Sequence, residues 1–398
     1  MKNSSFNLYL EINDLHYIFL VGKTDELDNF KIVYKLELPL QGIKNNKILD
    51  LEQVTDIIKK NIYIIEQKLN YTFKKIVLIL ENFELTFINF SGFKKLNGSQ
   101  ILRENITYIL NTLKACIDKN EEKKNVLHIF NSKFYLDNKK VENLPIGLFG
   151  DFYSHELSFI LIKKNDHKNL KSIFDQCNLK INKVLVKSFV KGVNISDSNE
   201  NRDTFFQVTI NKNNSKIFYF ENNSLKLEQN FKFGTDIIIK DISKIISLKK
   251  DIVENILGKI KLTSDISEND LIEESFFYNN SYRKIKKKLI YQIALARIQE
   301  ILNLIFFKNI NFYYYNKSSK NIYLEIDDKS HTQIFRQIFQ TTFSDHGFNK
   351  LLIMDNLSSE SMLYSAHKLV HFGWKKEAIP ISHNKKSLIN RFFDTIFG

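Results

Sequence analysis

Residues 6–21, FNLYLEINDLHYIFLV, read as two strands folded back on each other. Aromatic and β-branched residues alternate with polar ones on either side of a polar turn at Asn13-Asp14, the pattern of a half-buried hairpin. Residues 31–40, KIVYKLELPL, add a third strand. A helix is predicted over 51–69, where Leu51, Val54, Ile57, Ile58, Ile62, Ile65 and Leu69 recur at helical spacing. Its acidic start, Asp50-Leu51-Glu52, suits the positive end of a helix dipole. The compact apolar run 75–81, KIVLILE, then reads as a buried strand. The order β-β-β-α-β is that of an α/β unit, with neighbouring strands before a crossover.

Strands are next predicted at 84–90, 126–136 and 155–163, and a helix at 100–118. The loop 137–151 between them carries Pro145, Gly147 and Gly150. A helix at 167–177 leads into an apolar, strand-like run at 181–190. Residues 194–203, NISDSNENRD, have no hydrophobic pattern and mark the best domain boundary. Beyond it the opening order recurs, with strands at 205–210, 216–220 and 225–233 and a helix at 235–248. The residues do not repeat, but the order of elements does. Residues 281–307 are predicted helical and start with Arg283, Lys284, Lys286, Lys287 and Lys288, a solvated face or a contact for an acidic partner. A strand at 320–326 and helices at 329–340 and 358–371 close the body.

Bulk composition fits two or three folding units: 398 residues, 43% hydrophobic and 26% charged. The 34 Phe and 17 Tyr, with only 12 Gly and 3 Pro, fit an AT-rich coding bias. A net charge of +13 attracts phosphate-bearing surfaces, but the lysines are interspersed with acids and no RNA- or DNA-binding signature appears. Nucleic acid is therefore not an expected partner. Cys116 and Cys177 lack metal or redox spacing and read as reduced, buried thiols. The nine histidines offer no metal-ligand pattern; His367 and His371, four apart on the last body helix, read as packing or capping. No Ser or Cys nucleophile motif is present. The start alternates rather than presenting an apolar core, and no apolar run of about 18 residues occurs, so any membrane contact is expected to be peripheral.

The end of the chain supplies that contact. Behind a short linker at 374–384 come Lys385, Lys386, Leu388, Ile389, Arg391, Phe392, Phe393, Ile396 and Phe397. Apolar residues at 388, 389, 392, 393, 396 and 397 make one stripe on a helix, with cations at its start and polar side. Phenylalanine on the stripe and lysine beside it fit an interfacial helix on anionic lipid, each cation adding about 1 kcal/mol.

Four stretches together resemble the FtsA cell-division family. The most specific is 126–150, VLHIFNSKFYLDNKKVENLPIGLFG, from Val126-Leu127-His128 to Pro145-Ile146-Gly147-Leu148-Phe149-Gly150. Residues 158–190, the stretch 234–254 with Gly234, Asp236, Asp241 and Ile242, and residues 364–373 also resemble the family. The resemblance implies an α/β, actin-like body of two lobes, a small inserted subdomain and an amphipathic helix at the C-terminus. Its parts would be 1–82 and 164–198 for the first lobe, 83–163 for the insert and 199–355 for the second lobe. A closing helix at 356–373, the linker at 374–384 and the membrane helix at 385–398 would follow.

Members of that family bind ATP with a metal ion between the lobes, on glycine-rich turns and an acid. Here Asn13-Asp14-Leu15 stands where the first phosphate turn carries Gly-Thr, and Thr209-Ile210-Asn211-Lys212-Asn213-Asn214 stands where the second reads Asp-Ile-Gly-Gly-Gly-Thr. Glu325-Ile326-Asp327-Asp328 replaces the late Gly-Gly turn. A side chain in place of glycine blocks close backbone approach. The resemblance thus leaves Asn13, Asp14, Lys212, Asn214 and Gly234 as a degraded nucleotide site with weak or absent ATP and Mg binding and no catalysis. It implies an adaptor at the cytoplasmic side of the inner membrane, at the division site. Its partners would be the FtsZ C-terminal peptide, anionic lipids, other divisome proteins and further copies of itself in short filaments. The basic region 281–297 is the candidate peptide surface. An active actin-fold ATPase or sugar kinase requires the missing turns; a pilus-assembly relative of the same fold keeps the body but works through a membrane-protein partner, and the terminal helix and the 126–150 segment favour the division family.

Overall fold

The computed structural model describes residues 5–25, 30–44, 47–81, 83–197, 202–262, 265–277, 281–315, 321–326, 332–344, 350–355 and 357–378. The chain divides into two compact units, one of residues 1–202, 222–226 and 357–398, the other of residues 203–221 and 227–356.

The first unit opens with strands β1 (Ser5–Ile12), β2 (His16–Thr24) and β3 (Phe30–Pro39), an antiparallel meander. Two short strands, β4 (Ile43–Lys44) and β5 (Lys47–Ile48), precede helix α1 (Leu51–Leu69). Asp50 caps α1 by accepting the backbone N–H of Gln53 at 2.9 Å, and Asn70 ends it in the left-handed conformation. Strand β6 (Lys75–Leu80) returns parallel to β1 and is buried along its last five residues, as a strand covered on both faces must be.

A separate sheet follows. It contains β7 (Leu85–Lys95), then, after helix α2 (Arg103–Asn120), β8 (Lys124–Leu136), β9 (Lys139–Val141) and β10 (Phe152–Lys163), in the spatial order β7-β10-β8-β9. The apolar face of α2 (Ile106, Ile109, Ile117) shares a core with Ile129, Phe134, Leu157 and Phe159 of this sheet. The chain then re-enters the first sheet through α3 (Lys164–Gln176) and β11 (Lys180–Val186), giving the order β11-β6-β1-β2-β3.

The apolar run at 181–190 is not one strand. It breaks at Lys187, where α4 (Lys187–Asp197) begins and takes in the start of the stretch expected to be an open boundary. Phe189, Val190 and Val193 are buried on one helical face, and Asn194 donates to Ser365 Oγ at 3.0 Å, so a polar residue there has an internal partner.

The second unit repeats the plan. Strands β12 (Phe205–Ile210), β13 (Ser215–Glu221) and β14 (Ser224–Phe231) form a meander. Helices α5 (Thr235–Ile246), α6 (Lys250–Lys259), α7 (Lys287–Leu302) and α8 (Ile310–Tyr315) lead to β15 (Asn321–Ile326), parallel to β12. Helix α9 (Thr332–Ser344) then connects to β16 (Lys350–Met354), parallel to β15. The order β14-β13-β12-β15-β16 matches β3-β2-β1-β6-β11, so the recurrence in element order is a recurrence in topology.

Only the last two residues of the basic run, Lys287 and Lys288, are helical, and they open α7. Arg283, Lys284 and Lys286 are exposed and precede α7, because the backbone there is already engaged: Ile272 N–H donates to Ile285 O and Lys287 N–H to Asp270 O, both at 2.8 Å. From Lys287 to Phe307 the chain is one helical stretch of 21 residues, closed by a π turn and apolar enough by length and composition to cross a membrane. Its Ile290, Ala294, Ile298, Leu302 and Ile305 lie in the core of the second unit, the ordinary place for a helix apolar on most sides.

Helix α10 (Ser359–His371) returns to the first unit. Trp374–Ala378, read as the beginning of a linker, is packed: Lys376 O accepts from Asn131 N–H and Ala378 N–H donates to Ile129 O, both at 2.7 Å. The segment therefore pairs with β8 through a single bridge between Phe130 and Glu377, and Ala378 joins the core of that sheet.

Candidate functional site

In the first unit, β6 lies between β1 and β11, all three parallel, with a charge at each carboxyl end: Glu11 next to last in β1, and Glu81 and Lys187 directly after β6 and β11. The crevice beyond the carboxyl ends of such strands is where open α/β sheets bind ligands. The Lys187 ammonium lies 2.8 Å from Glu11 Oε1 and 2.6 Å from Glu81 Oε2, with side-chain exposures of 15% for Lys187, 3% for Glu11 and 11% for Glu81. Burial works against the charge on Lys187, but the two carboxylates outweigh it and hold its pKa above the ordinary lysine range. The sequence reading passed over Glu81 and Lys187. The available signal was a charged residue closing each of the apolar runs KIVLIL and KVLV.

The turn that follows β1 is closed upon itself. Asn13 N–H donates to His16 O, while Asn13 Oδ1 accepts the N–H groups of Leu15 (2.9 Å) and His16 (2.7 Å). Asn13 Nδ2 donates to Glu11 Oε1 at 3.2 Å. Asp14 sits at the tip of this turn. The amides that a glycine turn would offer to a phosphate are spent on an asparagine side chain.

In the second unit, Lys212 and Asn214 lie in the β12–β13 turn, and Gly234 is the N-cap of α5. Asn211 N–H donates to Asn214 O at 2.9 Å and its side-chain amide to Asn214 Oδ1 at 2.7 Å. The first amides of α5 point into this turn: Thr235 N–H donates to Asn211 O (3.0 Å) and Asp236 N–H to Lys212 O (2.9 Å). The N-terminus of a helix is a natural anion site, and here two of its donors are taken by carbonyls. Gly234 is required by this approach, since a Cβ would stand 2.0 Å from Asn211 O. Asp236 pairs with Lys240 and Lys250; its burial favours the neutral acid, but the two ammonium groups prevail and lower its pKa. Glu325, at the end of β15, accepts from Gln207 Nε2 at 2.9 Å.

The expected site residues thus fall into two groups, Asn13 and Asp14 in one unit and Lys212, Asn214 and Gly234 in the other. Among the described residues, the amides of Asn13, Leu15, His16, Asn211, Thr235 and Asp236 are already engaged, and the strand-end acids of the first unit already hold a cation. Asp327, Asp328 and the membrane-helix residues Lys385, Lys386, Leu388, Ile389, Arg391, Phe392, Phe393, Ile396 and Phe397 lie outside the described residues.

The last described segment carries a second buried ionic cluster. Glu377 accepts from His128 Nδ1 and from Lys183 Nζ, each at 2.8 Å, with side-chain exposures of 2% for Glu377, 0% for His128 and 12% for Lys183. Burial favours the neutral acid, but Lys183 and His128 prevail and lower the Glu377 pKa to about 2. Beside it, Trp374 Nε1 donates to Asn223 O at 2.7 Å. His367 stacks on Phe30 with ring centres 3.9 Å apart and shares a hydrogen bond with Tyr9 OH, so it packs as expected. Cys116, near the C-terminal end of α2, is exposed and Cys177 is half-buried, so the expectation of two buried thiols fails. Among the described residues no group of three His, Cys, Asp or Glu is placed to hold a metal ion.

No family model matches the chain. It is similar to the cell division protein FtsA of Buchnera aphidicola subsp. Schizaphis graminum, 23% identical over 308 residues, covering 76% of this chain and 73% of that protein. The FtsA of Buchnera aphidicola subsp. Baizongia pistaciae is 24% identical over 300 residues, covering 74% and 70%. Among solved structures, a chain of the PilM-PilN type IV pilus biogenesis complex superposes with a TM-score of 0.53 at 10% identity, covering 92% of this chain and 95% of that one. The fold is actin-like, as the duplicated meander-plus-parallel-strand topology requires.

Proposed function

We propose that this chain is a cell-division adaptor that holds the FtsZ ring on the cytoplasmic face of the inner membrane. The observation that carries this reading is the similarity to FtsA sequences across about three quarters of the chain, on an actin-like body. The terminal stripe from Leu388 to Phe397 supplies the membrane contact. Burying its apolar side chains adds several kcal/mol, part of which offsets the ordering of the helix. A single helix of this length binds reversibly, so association of several copies on one filament provides stable residence.

The body is a scaffold in this reading, with weak or lost ATP binding and no hydrolysis. Closed turns at Asn13–His16 and Asn211–Asn214, and the Lys187 ammonium between two acids, support it. Arg283, Lys284 and Lys286, exposed ahead of α7, suit an acidic peptide such as the FtsZ tail. Other divisome proteins would meet the same body. The superposition on a pilus-assembly complex concerns the fold alone; the sequence similarity to FtsA favours division.

The test is co-sedimentation with anionic liposomes of the full chain and of a chain truncated after Asn384. Only the full chain is expected to pellet, and FtsZ is expected to pellet with it. If both forms stay in solution, the membrane reading is wrong.

A further inference from the structure

Glu11 and Glu81 converge on one point at the carboxyl ends of parallel strands, and that point is filled by the chain's own ammonium group, 2.8 and 2.6 Å away. Two carboxylates directed at one position are a donor set for a hard divalent cation, which prefers oxygen ligands. Asn13 Nδ2, bonded to the same Oε1 of Glu11, holds that carboxylate in place. Lys187 is delivered there by backbone geometry: it is the first residue of α4, directly after β11, beside β6.

We propose that Lys187 is the built-in cation of this crevice, standing between Glu11 and Glu81 where a divalent metal ion would otherwise bind, so that the chain itself closes the site to metal. This rests on the reading that ATP binding is weak or lost, and it assigns a cause to that loss in the first unit. The ammonium is tethered, so it competes at a high effective concentration that a dissolved ion cannot match. A metal ion entering the site would also strand the buried ammonium without partners, which is strongly unfavourable.

Lys187→Met removes the ammonium and keeps an apolar stem of similar length. Mn2+ is the probe, followed by loss of its free EPR signal and by thermal unfolding of the full-length protein. Wild type is expected to show no Mn2+ binding that depends on Glu11. Lys187→Met is expected to gain one equivalent of Mn2+ and to rise in Tm by roughly 2–3 °C at a concentration tenfold above Kd. Adding Glu11→Gln to that variant abolishes both gains. Should Lys187→Met fold only when Mn2+ is present, the proposal is equally supported. It is overturned if the folded variant takes up no Mn2+, if an unfolded variant is not rescued by Mn2+, or if wild type binds Mn2+ in a way that Glu11→Gln removes. ATP titration of the wild type separates the two readings. Magnesium-dependent ATP binding overturns both, whereas no ATP binding together with no Mn2+ gain overturns only the role of Lys187.

Discussion

Replacing Glu377 by leucine tests whether the segment after α10 is locked onto the β8 sheet by charge. The carboxylate is buried and meets both His128 and Lys183, so its removal leaves an ammonium group 12% exposed without its counter-ion. Breaking a buried pair by deleting one partner costs about 3–5 kcal/mol. The direction of its pKa is consistent with this: Lys183 and His128 lower the carboxyl from 4.5 to about 2 in the folded chain, which at about 1.4 kcal/mol per pH unit is roughly 3 kcal/mol. Because the folded group titrates lower, the unfolded chain takes the proton first as pH falls. The contribution is complete above pH 4.5 and is lost as pH falls through about 2. The chain has one tryptophan, Trp374, three residues away and hydrogen-bonded to Asn223 O, so its fluorescence during urea unfolding reports on this segment directly. Glu377→Leu should lower the stability seen by Trp374 by about 3 kcal/mol at pH 7. Adding Lys183→Met should restore most of it, leaving about 1 kcal/mol for the imidazole that has lost its acceptor. A loss below about 1 kcal/mol, or single effects that simply add in the double variant, would refute the reasoning.

Two further outcomes follow from the same geometry. His155 is buried against Phe134 and Tyr153, and burial, with a smaller effect of the Lys376 charge, lowers its pKa to about 3. The unfolded chain binds this proton from pH 6.5 downward, so by pH 5 stability is lower by about 2 kcal/mol. His155→Phe should remove that part of the loss; urea midpoints at pH 7 and 5 that change equally in both proteins would contradict the assignment. Gly234→Ala places a Cβ 2.0 Å from Asn211 O and 2.7 Å from Lys212 O, both backbone atoms. It should destabilise the second unit by about 3 kcal/mol or more, read from thermal unfolding by circular dichroism, and a neutral result would mean that the turn does not pack on α5.

Much of the body was legible from residue order because local periodicity decides it. The hairpin around Asn13-Asp14 is β1 and β2, and the helix predicted at 51–69 has those same ends, set by Asp50 and Asn70. The recurrence of strand, strand, strand and helix after residue 204 is a true repeat of topology. The amphipathic stripe at 388–397 is carried by the sequence alone. The errors fell where backbone hydrogen bonds came from elsewhere in the chain. Arg283, Lys284 and Lys286 precede the helix, because residues 285–287 are bonded to residues 270–272. The run 181–190 keeps apolar residues on both sides of Lys187, and periodicity does not mark the residue at which a strand becomes a helix.

Residue spacing alone determined the opening strands and first helix of each unit and the recurrence of that order, since local periodicity depends on neighbours within a few positions. Tertiary structure decided which charges meet. Lys187 reaches Glu11 and Glu81 only because β11, β6 and β1 lie side by side in parallel, and His128 reaches Glu377 across 249 positions of sequence. A buried charge is tolerated only beside its counter-charge, and that pairing is a property of strand order, which no local pattern encodes.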